Sequence, residues 1–222
     1  MAPLKILYAH GFASGPLSKK GVAVRDHLAA RGLTVELLDL RVPSPSGLRL
    51  SAMIDVVLRA AGERTFVIGS SLGGLTCARA AERDPRIVAA LLQAPALRFA
   101  DRWRARMGEL DWAKWRREGT FRYEDHSIPG GALDVEFAFM EDVSAVDGGG
   151  GDRPVREDAW PNVTVPTTVV HGVRDEVVDP WLSRTWSSTR PNVTLVEVDD
   201  DHQLLSSVPV ILREIDRMLE KL

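Results

Sequence analysis

Thr65-Phe66-Val67-Ile68-Gly69-Ser70-Ser71-Leu72-Gly73-Gly74-Leu75 is the stretch on which the reading of this chain turns. Thr65–Ile68 is strand-forming and runs into a turn of glycine and serine. Leu72–Arg83 follows as a helix-forming segment, stopped at Asp84-Pro85 because a proline disfavours helical backbone in the residue before it. Strand, tight turn and helix in that order put Ser71 on a sharp, crowded bend. A side chain at either glycine neighbour would clash there; Gly69 and Gly73 remove it, and Gly74 lets the helix pack close to the strand. The start of the helix also aims free amides and the positive end of its dipole at an oxygen that becomes charged on the bend. Ser71 is therefore the candidate nucleophile, and Ser70 lacks the flanking glycine spacing.

The rest of the chain repeats the strand-then-helix pattern. Leu4–Ala9, Thr34–Leu40, Ile87–Leu92, Thr167–Val170 and Val193–Val198 read as further strands. Lys19–Arg31, Leu48–Ala61, Pro180–Ser187 and a last segment starting at a Ser207 cap with Pro209 in its first turn read as helices. Strands that are apolar on both faces belong in a parallel sheet covered by helices on each side. The expected class is α/β: a doubly wound, mainly parallel sheet of about six strands in the order 2-1-3-4-5-6, flanked by helices. In that order strands one and three are neighbours, so the loop His10–Gly15 after the first strand comes beside Ser71. The backbone N–H groups of Phe12 and Leu72 are then the candidate oxyanion donors.

Bulk properties narrow the function. A chain of 222 residues, 45% hydrophobic and 27% charged, fits one globular domain. A net charge of -3 argues against a nucleic-acid binder or a basic membrane-surface protein. Cys77 is the only cysteine, so no intramolecular disulfide can form. The N-terminus reads as lacking a signal peptide, and no apolar run reaches the ~18 residues of a membrane span. A cytoplasmic location is expected.

A serine hydroxyl needs a base, and the base needs an orienting acid. His202 follows the last strand, at the end of the sheet where Ser71 emerges, and is the candidate base. Asp175 lies in the loop after the fifth strand, in His171-Gly172-Val173-Arg174-Asp175, and is the candidate acid. Glu176 is a second choice that reads as solvated, and Asp199 to Asp201 read as an acidic field. His10 and His171 read as structural and His27 as a solvated helix residue.

These motifs are similar to those of the α/β-hydrolase superfamily: His10-Gly11-Phe12, the Gly69–Gly73 elbow, His171-Gly172-x-x-Asp175 and the late Asp-His202. The opening His10-Gly11-Phe12-Ala13-Ser14-Gly15-Pro16 further resembles the small bacterial YqiA-like esterases. The resemblance implies an α/β-hydrolase fold and hydrolysis of a carboxylic ester or thioester, a small-molecule substrate, without a cofactor or metal. Peptidases and carbon–carbon hydrolases use the same triad, and a non-catalytic ligand-binding protein of this fold is the alternative of another class.

One stretch breaks the alternation. Residues 97–161 carry no clean strand signal and contain glycine at 130–131 and 148–151. They read as a lid-like insertion in a single domain, with the second glycine tract as a mobile surface loop. Trp103, Trp112 and Trp115 among many arginines would suit an acyl chain with an anionic leaving group, and His126 could line the same site. The plainer reading packs the tryptophans into a core.

Overall fold

In a computed structural model of the protein, residues 2–124, 131–156 and 159–222 are described. Strands β1 (Leu4–Ala9), β2 (Val35–Leu38), β3 (Arg64–Ser70), β4 (Ile87–Gln93), β7 (Thr167–Gly172) and β8 (Val193–Val198) form one sheet in the order β2-β1-β3-β4-β7-β8. Every pairing in it is parallel. A separate antiparallel hairpin, β5 (Thr120–Glu124) and β6 (Ala132–Glu136), takes two numbers, so the spatial order is the expected one. The helices are α1 (Lys19–Ala29), α2 (Leu50–Ala60), α3 (Leu72–Ala81), α4 (Phe99–Met107), α5 (Glu109–Glu118), α6 (Ala138–Val146), α7 (Pro180–Ser188) and α8 (Val208–Leu219).

The chain divides into two compact units. The first comprises Met1–Leu40, Val56–Leu97 and Asn162–Leu222 and holds the parallel sheet. Ile6, Tyr8, Phe66, Ile68, Ala89, Leu91 and Val170 share one face of that sheet, where Val24 and Leu28 of α1 and Ile211, Ile215 and Met218 of α8 complete a core. Leu7, Val67, Leu92 and Val169 alternate with them onto the other face and are equally buried. Burial on both faces is why these strands read as continuous apolar runs rather than alternating ones. His27 is not simply solvated: its Nε2 lies 3.0 Å from Asp216 and ties α1 to α8. Ser207 stands at the start of α8 but makes no side-chain cap; its N–H donates to Asp200 Oδ2 at 2.9 Å.

The second unit comprises Arg41–Asp55 and Arg98–Pro161. Among the described residues it contains the first half of α2, helices α4, α5 and α6, and the hairpin, which corrects the expectation of a stretch without strands. Its core is aromatic. Trp115 packs against Trp103, Trp112, Phe121 and Phe137 with ring centroids 5.4–5.8 Å apart. Its indole N–H donates to the Val135 carbonyl at 2.9 Å, and that of Trp112 to Asp152 at 3.1 Å. Ser51 holds Asp142 through both its N–H and its hydroxyl, at 2.9 and 2.6 Å.

The glycine tract 148–151 is not a surface loop. Gly148 and Gly150 are buried, and all four residues have positive φ. The N–H of Gly149 donates to the Ser144 carbonyl and that of Gly151 to Asp101. A Cβ at Gly149 would stand 2.1 Å from the Pro154 carbonyl oxygen, so glycine is required here for contact as well as conformation.

Candidate active site

The site forms where β1, β3, β7 and β8 end. Ser71 follows β3 directly and has φ 54° and ψ -116°, a conformation that strains any residue with a side chain. The bend is held from both sides: the N–H of Ser71 donates to the Gln93 carbonyl at 2.8 Å, and its carbonyl accepts from Ala96 at 3.0 Å. The elbow glycines are needed for contact. A Cβ on Gly69 would lie 2.4 Å from the Gly73 oxygen, and one on Gly73 2.3 Å from the Ala9 oxygen. Gly73 is thus where α3 starts against the end of β1, and no side chain fits between them.

Two further loops bring the base and the acid. The ring of His202 bridges its two neighbours, with Nε2 3.0 Å from Ser71 Oγ and Nδ1 2.7 Å from Asp175 Oδ2. The other carboxylate oxygen of Asp175 accepts the N–H groups of Val177 and Val178 at 2.8 and 2.7 Å. Glu176 is exposed, as expected of the second choice. The loops after β7 and β8 approach so closely that a Cβ on Gly172 would stand 2.4 Å from the Asp200 oxygen. Gly172 therefore helps bring Asp175 and His202 together, a role the sequence spacing alone does not single out. Asp200 is buried and accepts from the N–H groups of Asp201 and Ser207, so it shapes the His202 loop in addition to lending it negative charge.

The loop after β1 runs past the nucleophile: a Cβ on Gly11 would be 3.3 Å from Ser71 Cβ. Phe12 follows in that loop and Leu72 opens α3, which puts the two candidate oxyanion donors on the elements that flank Ser71. His10 shapes this loop. Its Nδ1–H donates to the Gly11 carbonyl at 2.9 Å, and its Nε2 accepts from the Leu40 N–H at 3.0 Å.

Electrostatics follow from burial and these bonds. Burial alone pushes the Asp175 carboxyl upward, but hydrogen bonds from His171 and His202, the His202 charge and the Val178 amide outweigh it. The acid is held well below the usual carboxylate range and stays ionised. Burial pulls the Lys20 ammonium down to about 8, with Asp175, Asp200 and Asp201 pulling the other way. Burial raises the Cys77 thiol, which keeps it protonated and inert.

Other expected contacts fare differently. Trp112 and Trp115 are 2% and 1% exposed, with their rings spent on the aromatic core and their N–H groups paired. A closed ring of this kind leaves Trp115 no surface for a substrate, which corrects its assignment as a contact, whereas Trp112 keeps an edge on a surface pocket beside Arg104, Glu109 and Arg116. Trp103 is half-buried in the same cluster. The arginines of this segment are largely paired within it: Arg98 with Asp101, Arg104 with Glu109 and Asp152, Arg116 with Asp152, and Arg122 with Asp134. His126 lies outside the described residues. Among those described, no cluster of metal-ligating side chains occurs, and no helix is long and apolar enough to cross a membrane.

Comparison with known proteins agrees with the fold. Residues 5–219 match the uncharacterised protein family UPF0227. A search of curated proteins finds no match. Among solved structures, alpha/beta hydrolase domain-containing protein 10 from mouse superposes with a TM-score of 0.77 at 19% identity, covering 100% of this chain and 91% of that one. Est1E from Butyrivibrio proteoclasticus gives 0.70 at 22% identity over 98% and 87% of the two chains. An esterase from Pyrococcus furiosus gives 0.64 at 16% identity over 98% and 81%. The protein belongs to UPF0227, the YqiA-like group that its opening stretch resembles, and has the α/β-hydrolase fold.

Proposed function

We propose that this protein is a serine hydrolase that cleaves a carboxylic ester or thioester through an acyl-enzyme on Ser71. The observation that carries the proposal is the unbroken line from Ser71 Oγ through the His202 ring to Asp175 Oδ2, with spacings of 3.0 and 2.7 Å. In this reading His202 Nε2 takes the proton as Ser71 Oγ attacks the carbonyl carbon. The tetrahedral oxyanion rests on the N–H groups of Phe12 and Leu72, each worth about 3–4 kcal/mol in the transition state. The imidazolium, stabilised by ionised Asp175, returns the proton to the leaving alcohol or thiol. His202 then activates a water molecule that releases the acid and regenerates Ser71.

The match to an esterase from Pyrococcus furiosus supports the ester class over the ligand-binding alternative. Residues 97–161 are proposed as a lid-like insert that sets substrate choice, with Trp103 and His126 among its candidate contacts. The test is a panel of p-nitrophenyl esters and acyl thioesters of increasing chain length, run on the wild type and Ser71→Ala. Turnover in the variant should fall by about 10⁴-fold or more. Hydrolysis undiminished by the substitution would remove Ser71 from the chemistry.

A further inference from the structure

His171 reads from the sequence as a strand-end residue of structural purpose, yet it meets the acid directly. It is fully buried at the end of β7. Its Nε2 lies 3.0 Å from Asp175 Oδ2, the same oxygen that holds His202, and 3.0 Å from the Val178 carbonyl. Both partners accept, so Nε2 carries the proton and donates to them. Its Nδ1 lies 2.7 Å from the hydroxyl of Ser183, which is buried on α7.

We infer that His171 is a positioning residue of the proposed site, with its Nε2–H holding Asp175 Oδ2 in line with His202 while Ser183 fixes its tautomer. The inference rests on the serine-hydrolase reading. Asp175 Oδ1 is already fixed by the Val177 and Val178 amides, whereas among the described residues Oδ2 meets His171 and the His202 ring it must orient. A second donor on Oδ2 limits rotation of the carboxylate. It also spreads the negative charge, so Asp175 stabilises the His202 imidazolium less strongly than a carboxylate with a single donor would.

Among the described residues, the other charged groups at this end of the sheet include Lys20 of α1, exposed Glu176 beside Asp175, Asp200 and Asp201 after β8, and the exposed pair Arg174–Asp199. All are retained in the variants below, so a difference between variants belongs to His171.

The test is the pH dependence of labelling by a fluorophosphonate probe, which needs no knowledge of the natural substrate. Ser71 Oγ displaces fluoride at phosphorus while its proton passes to His202, so the acid limb reports the His202 ionisation. His171→Leu should label about 10-fold to 100-fold more slowly, with the limb moved up by roughly one pH unit. His171→Gln, which keeps an N–H donor at a similar reach, should return the limb to its wild-type position. Should the leucine variant not fold, Ser183→Ala decides: it frees the ring to turn, and the limb should again move up. A limb unmoved in the folded His171→Leu, or in Ser183→Ala where leucine does not fold, overturns the inference even if the rate falls, since a merely structural residue would give that result. Labelling that persists in Ser71→Ala would overturn the parent reading instead.

Discussion

The loops at the end of the parallel sheet and the aromatic unit at 98–161 exchange the roles their residue types invite. Tryptophans and arginines in the second region look like a binding surface, yet Trp112 and Trp115 are core and the arginines are largely paired within the unit. In the first region a buried histidine looks like packing, yet His171 donates to the acid. Residue type is therefore a poor guide to role in this molecule. Distance along the chain from a strand end is a better one, because the sheet delivers each such position to the same edge.

The comparison is broken or sharpened most strongly at His202. His202→Ala should lower turnover by about 10⁴-fold while leaving the melting temperature nearly unchanged, because the ring is partly exposed and its work is proton transfer. Assay and thermal melt together separate the two effects. Trp115→Ala should do the reverse, costing about 3–5 kcal/mol of stability in a urea titration, with the pH limb of labelling in place. A changed KM without a loss of stability would return Trp115 to the substrate and erase the contrast between the regions.

Proton linkage gives two smaller effects. Asp175 has its folded pKa depressed, so its contribution to stability is full above the unfolded carboxylate value of about 3.9 and is lost as pH falls below it. Chemical denaturation between pH 6 and pH 2 should therefore show a steeper acid loss in the wild type than in Asp175→Asn. Lys20 has its folded pKa lowered to about 8, so the unfolded chain holds more protons from there up to roughly 10.4. Stability of the wild type relative to Lys20→Met should rise across that window. A flat difference would mean that Lys20 is solvated in the folded protein.

Much of the first region is legible in the sequence for a steric reason. The elbow must pack α3 against the end of β1, and only glycine at 69 and 73 permits that approach. Ser71, Asp175 and His202 likewise follow β3, β7 and β8 at positions the strand pattern identifies. What escapes is contact across chain segments. Nothing local marks His171 as facing Asp175 rather than a neutral core, although the four-residue spacing within His171–Asp175 is a signal that could have found it. The hairpin escapes because β5 alternates exposed and half-buried residues and has no fully apolar face to announce it. The glycine tract 148–151 reads as a loose loop because flexibility and close contact call for the same residue.

The central claim is that Ser71 becomes covalently modified by virtue of this geometry. Intact-mass measurement after fluorophosphonate treatment, followed by peptide mapping, tests it directly. The account predicts one phosphonyl adduct per chain, on Ser71, and none in Ser71→Ala. An adduct on another residue, or equal labelling of the variant, would contradict it.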